Sequence, residues 1–139
     1  MVNYKLQKNT NEKSPFCGQV FARAVVTDEI DLDGLAERIQ RNCTAKKSDV
    51  KAVLTEMVEV MAEELQASHK VRINGLGSFK MSLRGSYATS PKVFTPSHNI
   101  KSMRVLFTPE YTKDANGNRQ AVLISGAKVQ ELTEYTKEE

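Results

Sequence analysis

The pattern of apolar and polar positions changes period twice along the chain. Near the N-terminus Tyr4-Lys-Leu-Gln-Lys alternates, and Gln19-Val-Phe-Ala-Arg-Ala-Val-Val26 is apolar and β-branched. These segments predict two strands, at residues 2–9 and about 18–27, with the polar stretch from Asn9 to Pro15 as the link. The plainest role for such an N-terminal hairpin is to extend or cover a sheet edge.

Helical spacing takes over next. Leu32, Leu35, Ala36 and Ile39 make one apolar face of a short helix that Asp31 can cap and that stops before Asn42. Gly34 weakens this helix by roughly 1 kcal/mol relative to alanine, so packing must supply the rest. A connector from Cys43 to Lys47 leads to a longer helix ending near Ser68. There Val50, Val53, Leu54, Met57, Val58, Met61 and Leu65 recur at helical spacing, with Lys51, Glu56, Glu59, Glu63 and Glu64 on the other side. The methionines read as core filler rather than as a ligand-binding stripe. The stripe is wide for a helix with so little else to cover. A two-fold dimer that packs the helices and hairpins against their copies is the economical solution.

Period two returns at Val71. Val71 and Ile73 alternate with Arg72, Gly75 and Gly77 supply the permissive backbone of a tight turn, and Phe79, Met81 and Leu83 alternate with Lys80, Ser82 and Arg84. Such a hairpin hides an apolar side and presents Lys80, Ser82 and Arg84 on a shared outer face. From Gly85 to Asn99 the pattern loosens. Prolines at 91 and 96 forbid a central strand, which leaves a loop, a twisted arm or a pair of edge strands. Ile100 to Phe107 returns as a strand, with Met103, Val105 and Phe107 on one face and Arg104 on the other. A connection that leaves a sheet and comes back in this way makes a protruding β-ribbon, and on a symmetric dimer two such ribbons can straddle a duplex. Beyond it, Thr108-Pro-Glu suits the start of a short helix, Asp114-Ala-Asn-Gly-Asn118 is a turn signal, and Gln120 to Ser125 suits a strand. Glu131 to Glu139 carries four glutamates and one lysine. It reads as frayed helix or disorder, or as an acidic tail that competes for a basic surface.

Composition bounds this picture without changing it. A chain of 139 residues, 40% hydrophobic and 27% charged, is ordinary for one soluble domain. The expected organisation is a β extension over 1–30, a core over 31–109, and a C-terminal extension over 110–139 made of a turn and an acidic tail. No apolar run approaches the ~20 residues of a membrane span. Met-Val-Asn-Tyr-Lys lacks the apolar core of a signal peptide, so a cytoplasmic protein is expected. Cys17 and Cys43 show neither CxxC nor Cys/His spacing, and buried, reduced thiols are expected rather than a disulfide or a zinc site.

Charge changes the picture more. The net charge is only +3, but no Asp or Glu occurs from Leu65 to Pro109, where Lys70, Arg72, Lys80, Arg84, Lys92, Lys101 and Arg104 supply seven cations. Such asymmetry points to a polyanion partner for the middle of the chain, although a run of charge is by itself often a solvated face. Catalysis finds no footing. Gly75-x-Gly77 lacks the third glycine and the βαβ setting of a dinucleotide fingerprint, and neither a phosphate loop nor a nucleophile elbow is present. His69 and His98 lack a Cys or acidic partner at metal spacing and read as solvent-exposed or phosphate-near side chains. No enzyme, cofactor, metal or small-molecule substrate is expected.

Asp31 to Phe107 resembles the HU/IHF histone-like DNA-binding proteins of bacteria. The carriers are the helix–helix order, the Gly75-Leu-Gly-Ser-Phe79 turn with Met81 and Arg84 following, and the returning Ile100…Arg104-Val105 strand. The resemblance implies an α+β fold: a homodimer with two helices in the N-terminal half of each chain and an antiparallel sheet that extends into β-ribbon arms. It implies double-stranded DNA as partner, with cations of saddle and arms on phosphates and a proline at each arm tip wedged between base steps. The family's arm carries an Arg-Asn-Pro signature with more arginines, whereas this sequence offers Tyr87, Ser90, Pro91 and Lys92. Together with the extra N-terminal hairpin and the lack of a lysine-bearing C-terminal helix, this is similar to the divergent HU-related branch of Bacteroidetes-type bacteria. Pro91 is the candidate wedge, beside its reading as a plain loop proline. Two functions follow. One is a nucleoid-associated, largely sequence-nonspecific DNA-binding homodimer. The other is a protein-interaction or assembly module that keeps the scaffold and binds little DNA.

Overall fold

The computed structural model describes residues 1–135. It is a mixed α+β structure that divides into two compact units, residues 1–31 with 126 onward, and residues 32–125.

In the first unit, β1 (Val2–Lys8) pairs antiparallel with β2 (Val20–Ala24), so the alternating N-terminal segments do form a hairpin. The link between them is tied by its own polar groups: Asn9 Nδ2 donates to Ser14 Oγ at 3.1 Å, and the Asn11 N–H to Asn9 Oδ1 at 3.0 Å. The other edge of β1 pairs in parallel with β8 (Val129–Glu131), giving the order β2-β1-β8. The hairpin therefore builds a sheet of its own rather than extending the sheet of the other unit. Of the tail expected to fray, Glu131 ends this strand opposite Tyr4, and the Leu6 N–H donates to Tyr135 Oη at 3.0 Å. Residues 136–139 of that tail lie outside the described residues.

In the second unit the two helical patterns become α1 (Leu32–Asn42) and α2 (Lys47–Gln66). They pack around Ala36, Val50 and Leu65, the buried apolar side chains of the unit. Lys51 Nζ to Asp33 Oδ1 at 2.9 Å and Lys47 Nζ to Glu37 Oε2 at 3.9 Å cross from α2 to α1. Ser68 ends α2 in the left-handed region at φ 66°, and the His69 N–H then reaches back to the Glu64 carbonyl at 3.0 Å.

β3 (Val71–Ile73), β4 (Gly77–Gly85) and β5 (Ile100–Pro109) form an antiparallel sheet in that order. Between β3 and β4, the Leu76 N–H donates to the Ile73 carbonyl at 3.0 Å, closing a turn with Gly75 at φ 83°. β3 reaches only to Phe79, opposite Val71. From Lys80 onward β4 and β5 continue as a two-stranded ribbon, paired as far as Gly85 and Ile100. Residues 86–99, left open as loop, arm or edge strands, are a loop containing the helical turn α3 (Pro96–Asn99).

Thr108-Pro-Glu does not start a helix. Thr108 and Pro109 still pair in β5, and the Glu110 N–H donates to the Leu76 carbonyl at 3.1 Å, which carries the chain on as β6 (Tyr111–Lys113). β6 pairs with β7 (Arg119–Ala121) across the Asp114–Asn118 turn, where Asp114 Oδ1 accepts the N–H of Asn116 at 2.9 Å and of Asn118 at 2.8 Å. The strand expected to Ser125 gives way after Ala121 to a 3-10 turn at Val122–Ile124. Cys17 and Cys43 are free and exposed, contrary to the burial expected of them. With so few buried apolar side chains near them, neither has a core to enter.

Candidate nucleic-acid interface

The β3–β4–β5 register sorts the sheet into two unlike faces. Directly opposed residues share a face, and so do alternate residues along a strand. Pairing of Arg72 with Ser78, Lys80 with Leu106, Ser82 with Arg104 and Arg84 with Ser102 puts four cations, four hydroxyl side chains (Thr108 included) and Leu106 on one face. The opposite face carries Val71, Phe79, Met81, Leu83, Met103, Val105 and Phe107, with the Phe79 and Phe107 ring centroids 4.9 Å apart. Arg72, Lys80, Arg84 and Arg104 are all exposed, and the three strands contain no carboxylate. Arg104 lies opposite Ser82 and so between Lys80 and Arg84, making a short cationic row along the ribbon.

The other three cations singled out in the sequence are placed differently. Lys70 stands just before β3. Lys101 sits beside the irregularity at Arg84/Gly85 and alternates with Ser102, out of phase with Arg104. Lys92 is in the 86–99 loop, next to Pro91, within a turn in which the Val93 N–H donates to the Ser90 carbonyl at 3.3 Å. Pro91 occupies the second position of that turn, which suits its fixed φ.

Asn99, which the sequence did not single out, ties the loop at its neck. It is the buried polar side chain of the described residues. Its Oδ1 accepts the Thr95 N–H at 3.0 Å, its Nδ2 donates to the Ser86 carbonyl at 3.4 Å, and its carbonyl accepts the Ser86 N–H at 2.9 Å. Tyr87, one residue on, is fully exposed. Arg119 was missed as well, because β7 brings it back over the Tyr111 ring at 3.8 Å, beside Arg72 and Lys70 in a shared cavity. His69 does have an acidic partner: its Nδ1 lies 2.6 Å from Glu64 Oε2. Among the described residues no cluster of His, Cys, Asp and Glu could hold a metal ion, and no helix is long and apolar enough to cross a membrane.

A family model described as HU-HIG, an HU domain fused to wHTH, Ig, or glycine-rich motif, matches residues 1–120. The chain belongs to the HU-HIG family. This agrees with the resemblance carried by Asp31 to Phe107. The HU-HIG chain is 40% identical over 47 residues to the DNA-binding protein HU of Thermotoga maritima, a match covering 34% of this chain and 52% of that protein. In structure it resembles a putative bacterial DNA-binding protein of Bacteroides vulgatus, with a TM-score of 0.63 at 19% identity, over 94% of this chain and 48% of that one. The HU-HIG chain thus spans about half the length of these relatives. The α+β architecture expected from the sequence, with its helix pair and antiparallel sheet, is the one found.

Proposed function

We propose that this HU-HIG chain is a non-catalytic, largely sequence-nonspecific DNA-binding protein of the bacterial nucleoid, cytoplasmic, and active as a homodimer. The observation that carries this is the carboxylate-free face of Arg72, Lys80, Arg84 and Arg104 interleaved with serine and threonine hydroxyls. Cations and hydroxyls suit phosphate oxygens. The Asn, Gln and acidic pairs that read base edges in a groove are absent from this face. Lys70, Lys92 and Lys101 extend the contact at its margins, and Pro91 is the candidate wedge between base steps.

Dimerisation is supported by what one copy leaves uncovered. Val53 and Met103 are each 67% exposed, and Val58 and Val105 are more than half exposed. Covering side chains of this size contributes roughly 1–2 kcal/mol each, a contribution a lone chain forgoes. Sedimentation equilibrium tests this half of the reading: a dimer at micromolar concentration is expected, dissociated by Val53→Glu. A wild-type monomer would overturn it.

A salt titration tests the other half. Two copies of the four-cation face meet about eight phosphates, so the logarithmic salt slope should approach −7, a loss of roughly 10⁴ in affinity between 50 and 200 mM salt. A flat response would favour the protein-interaction module instead. Equal affinity for unrelated duplex sequences is expected, and a strong preference for one would contradict nonspecific binding.

A further inference from the structure

The cationic face ends in a recess. Where the sheet meets the β6–β7 hairpin there is a cavity of about 280 Å³, lined by Lys70, Arg72, Ser78, Thr108, Tyr111 and Arg119 among others. That is room for about nine waters, enough for a phosphate group and part of what it is attached to. Arg119 is held by stacking of its guanidinium over Tyr111, which fixes its plane and leaves its N–H edge free to donate. Among the described residues, Lys70, Arg72 and Arg119 form no ion pair, unlike Arg41 and Lys47 with Glu37, Lys51 with Asp33 and His69 with Glu64. Glu110, the carboxylate on the cavity wall, is already engaged by the Gly75 N–H. Three cations against one carboxylate leave the recess with net positive charge, which an anion among them would offset.

We propose that this cavity is a phosphate-binding site, with Arg72 and Arg119 as forked donors, Lys70 as a point charge, and the Ser78 and Thr108 hydroxyls as further donors. The ligand is a phosphate monoester or diester. It comes either from a DNA backbone lying along the face, since Arg72 and Ser78 are in phase with Lys80 and Arg84, or from a free phosphate-bearing molecule. The first source rests on the DNA-binding reading above and the second does not.

The test uses the full chain with inorganic phosphate by calorimetry at low salt, and separately with a linear duplex over a salt series. Saturable binding of one phosphate per chain is expected. Arg119→Gln should weaken it at least tenfold, Arg119→Lys and Thr108→Val less, with circular dichroism confirming the fold of each. If Arg119→Gln also lowers the duplex salt slope by about two per dimer, one for each copy, the ligand is the backbone. A loss of phosphate binding with the slope unchanged identifies a free phosphate ligand. Neither effect, while wild-type protein still binds duplex, overturns the site and leaves the DNA-binding reading standing. Phosphate binding without any duplex binding does the reverse.

Discussion

Gly77→Ala should be the most damaging methyl group that can be added near the hairpin turn. Gly77 has φ 150°, and a Cβ built there would lie 2.3 Å from the Thr108 carbonyl oxygen, 2.7 Å from Phe107 Cε2 and 3.0 Å from Pro109 Cα. The nearest of these is backbone, fixed by pairing along the length of β5, so it cannot step aside as a flexible side-chain tip would. Backbone strain of about 1–3 kcal/mol and overpacking of about 1–3 kcal/mol add to roughly 4 kcal/mol. Gly75→Ala is the internal control. It too has positive φ, at 83°, but nothing lies within 4 Å of the added methyl, so only the left-handed cost of about 1–2 kcal/mol applies. Urea unfolding followed by far-UV circular dichroism reports on this unit, since both long helices lie within it. At fixed protein concentration the midpoint for Gly77→Ala should fall roughly 1–2 M below that for Gly75→Ala. Equal midpoints would refute the claim that the close approach of β4 to β5, rather than turn geometry alone, requires glycine here.

Replacing Lys80, Arg84 and Arg104 together by alanine should reduce the salt slope of duplex binding by about five per dimer, with equal loss on all sequences in a mobility-shift series. Asn99→Ala strands the Thr95 N–H and should cost about 1–3 kcal/mol, read as faster limited proteolysis within residues 86–99. Ser68→Gly relieves the left-handed residue after α2 and should raise stability by about 1 kcal/mol in the same urea assay. Hydrogen bonding and charge from Lys51 hold the Asp33 carboxyl below its usual value of 3.8, so folding is favoured by this pair above that value and loses the contribution as pH falls through the lowered pKa. Asp33→Asn should flatten that part of the acid-unfolding curve, and an unchanged curve would show that the Lys51 pair does not matter to folding.

What the sequence revealed followed from local periodicity. Phe79 to Arg84 alternates strictly, so the sheet face of its cations could be read without knowing the partner strand, and the stripe from Val50 to Leu65 announced its helix in the same way. Contacts between distant segments left no such trace. Val129-Gln-Glu131 is too short to show a period, and its partner in β1 is more than a hundred residues away. Arg119 looks like any loop cation until β7 folds back beside Tyr111. Thr108-Pro-Glu misled because proline suits both a helix start and the outer end of an edge strand. Cys17 and Cys43 misled because burial was assumed for thiols where a single copy of the chain offers almost no interior.

The parallel pairing of β1 with β8 also orders events on the ribosome. The β1–β2 hairpin emerges before β8, with the β1 edge that later receives β8 still open. The strand that closes this edge is translated roughly a hundred residues later, about 5–20 s at ordinary elongation rates. The residues from Leu32 to Ser125 are made in that interval, so the sheet of β1, β2 and β8 cannot close until the chain between its strands has been translated.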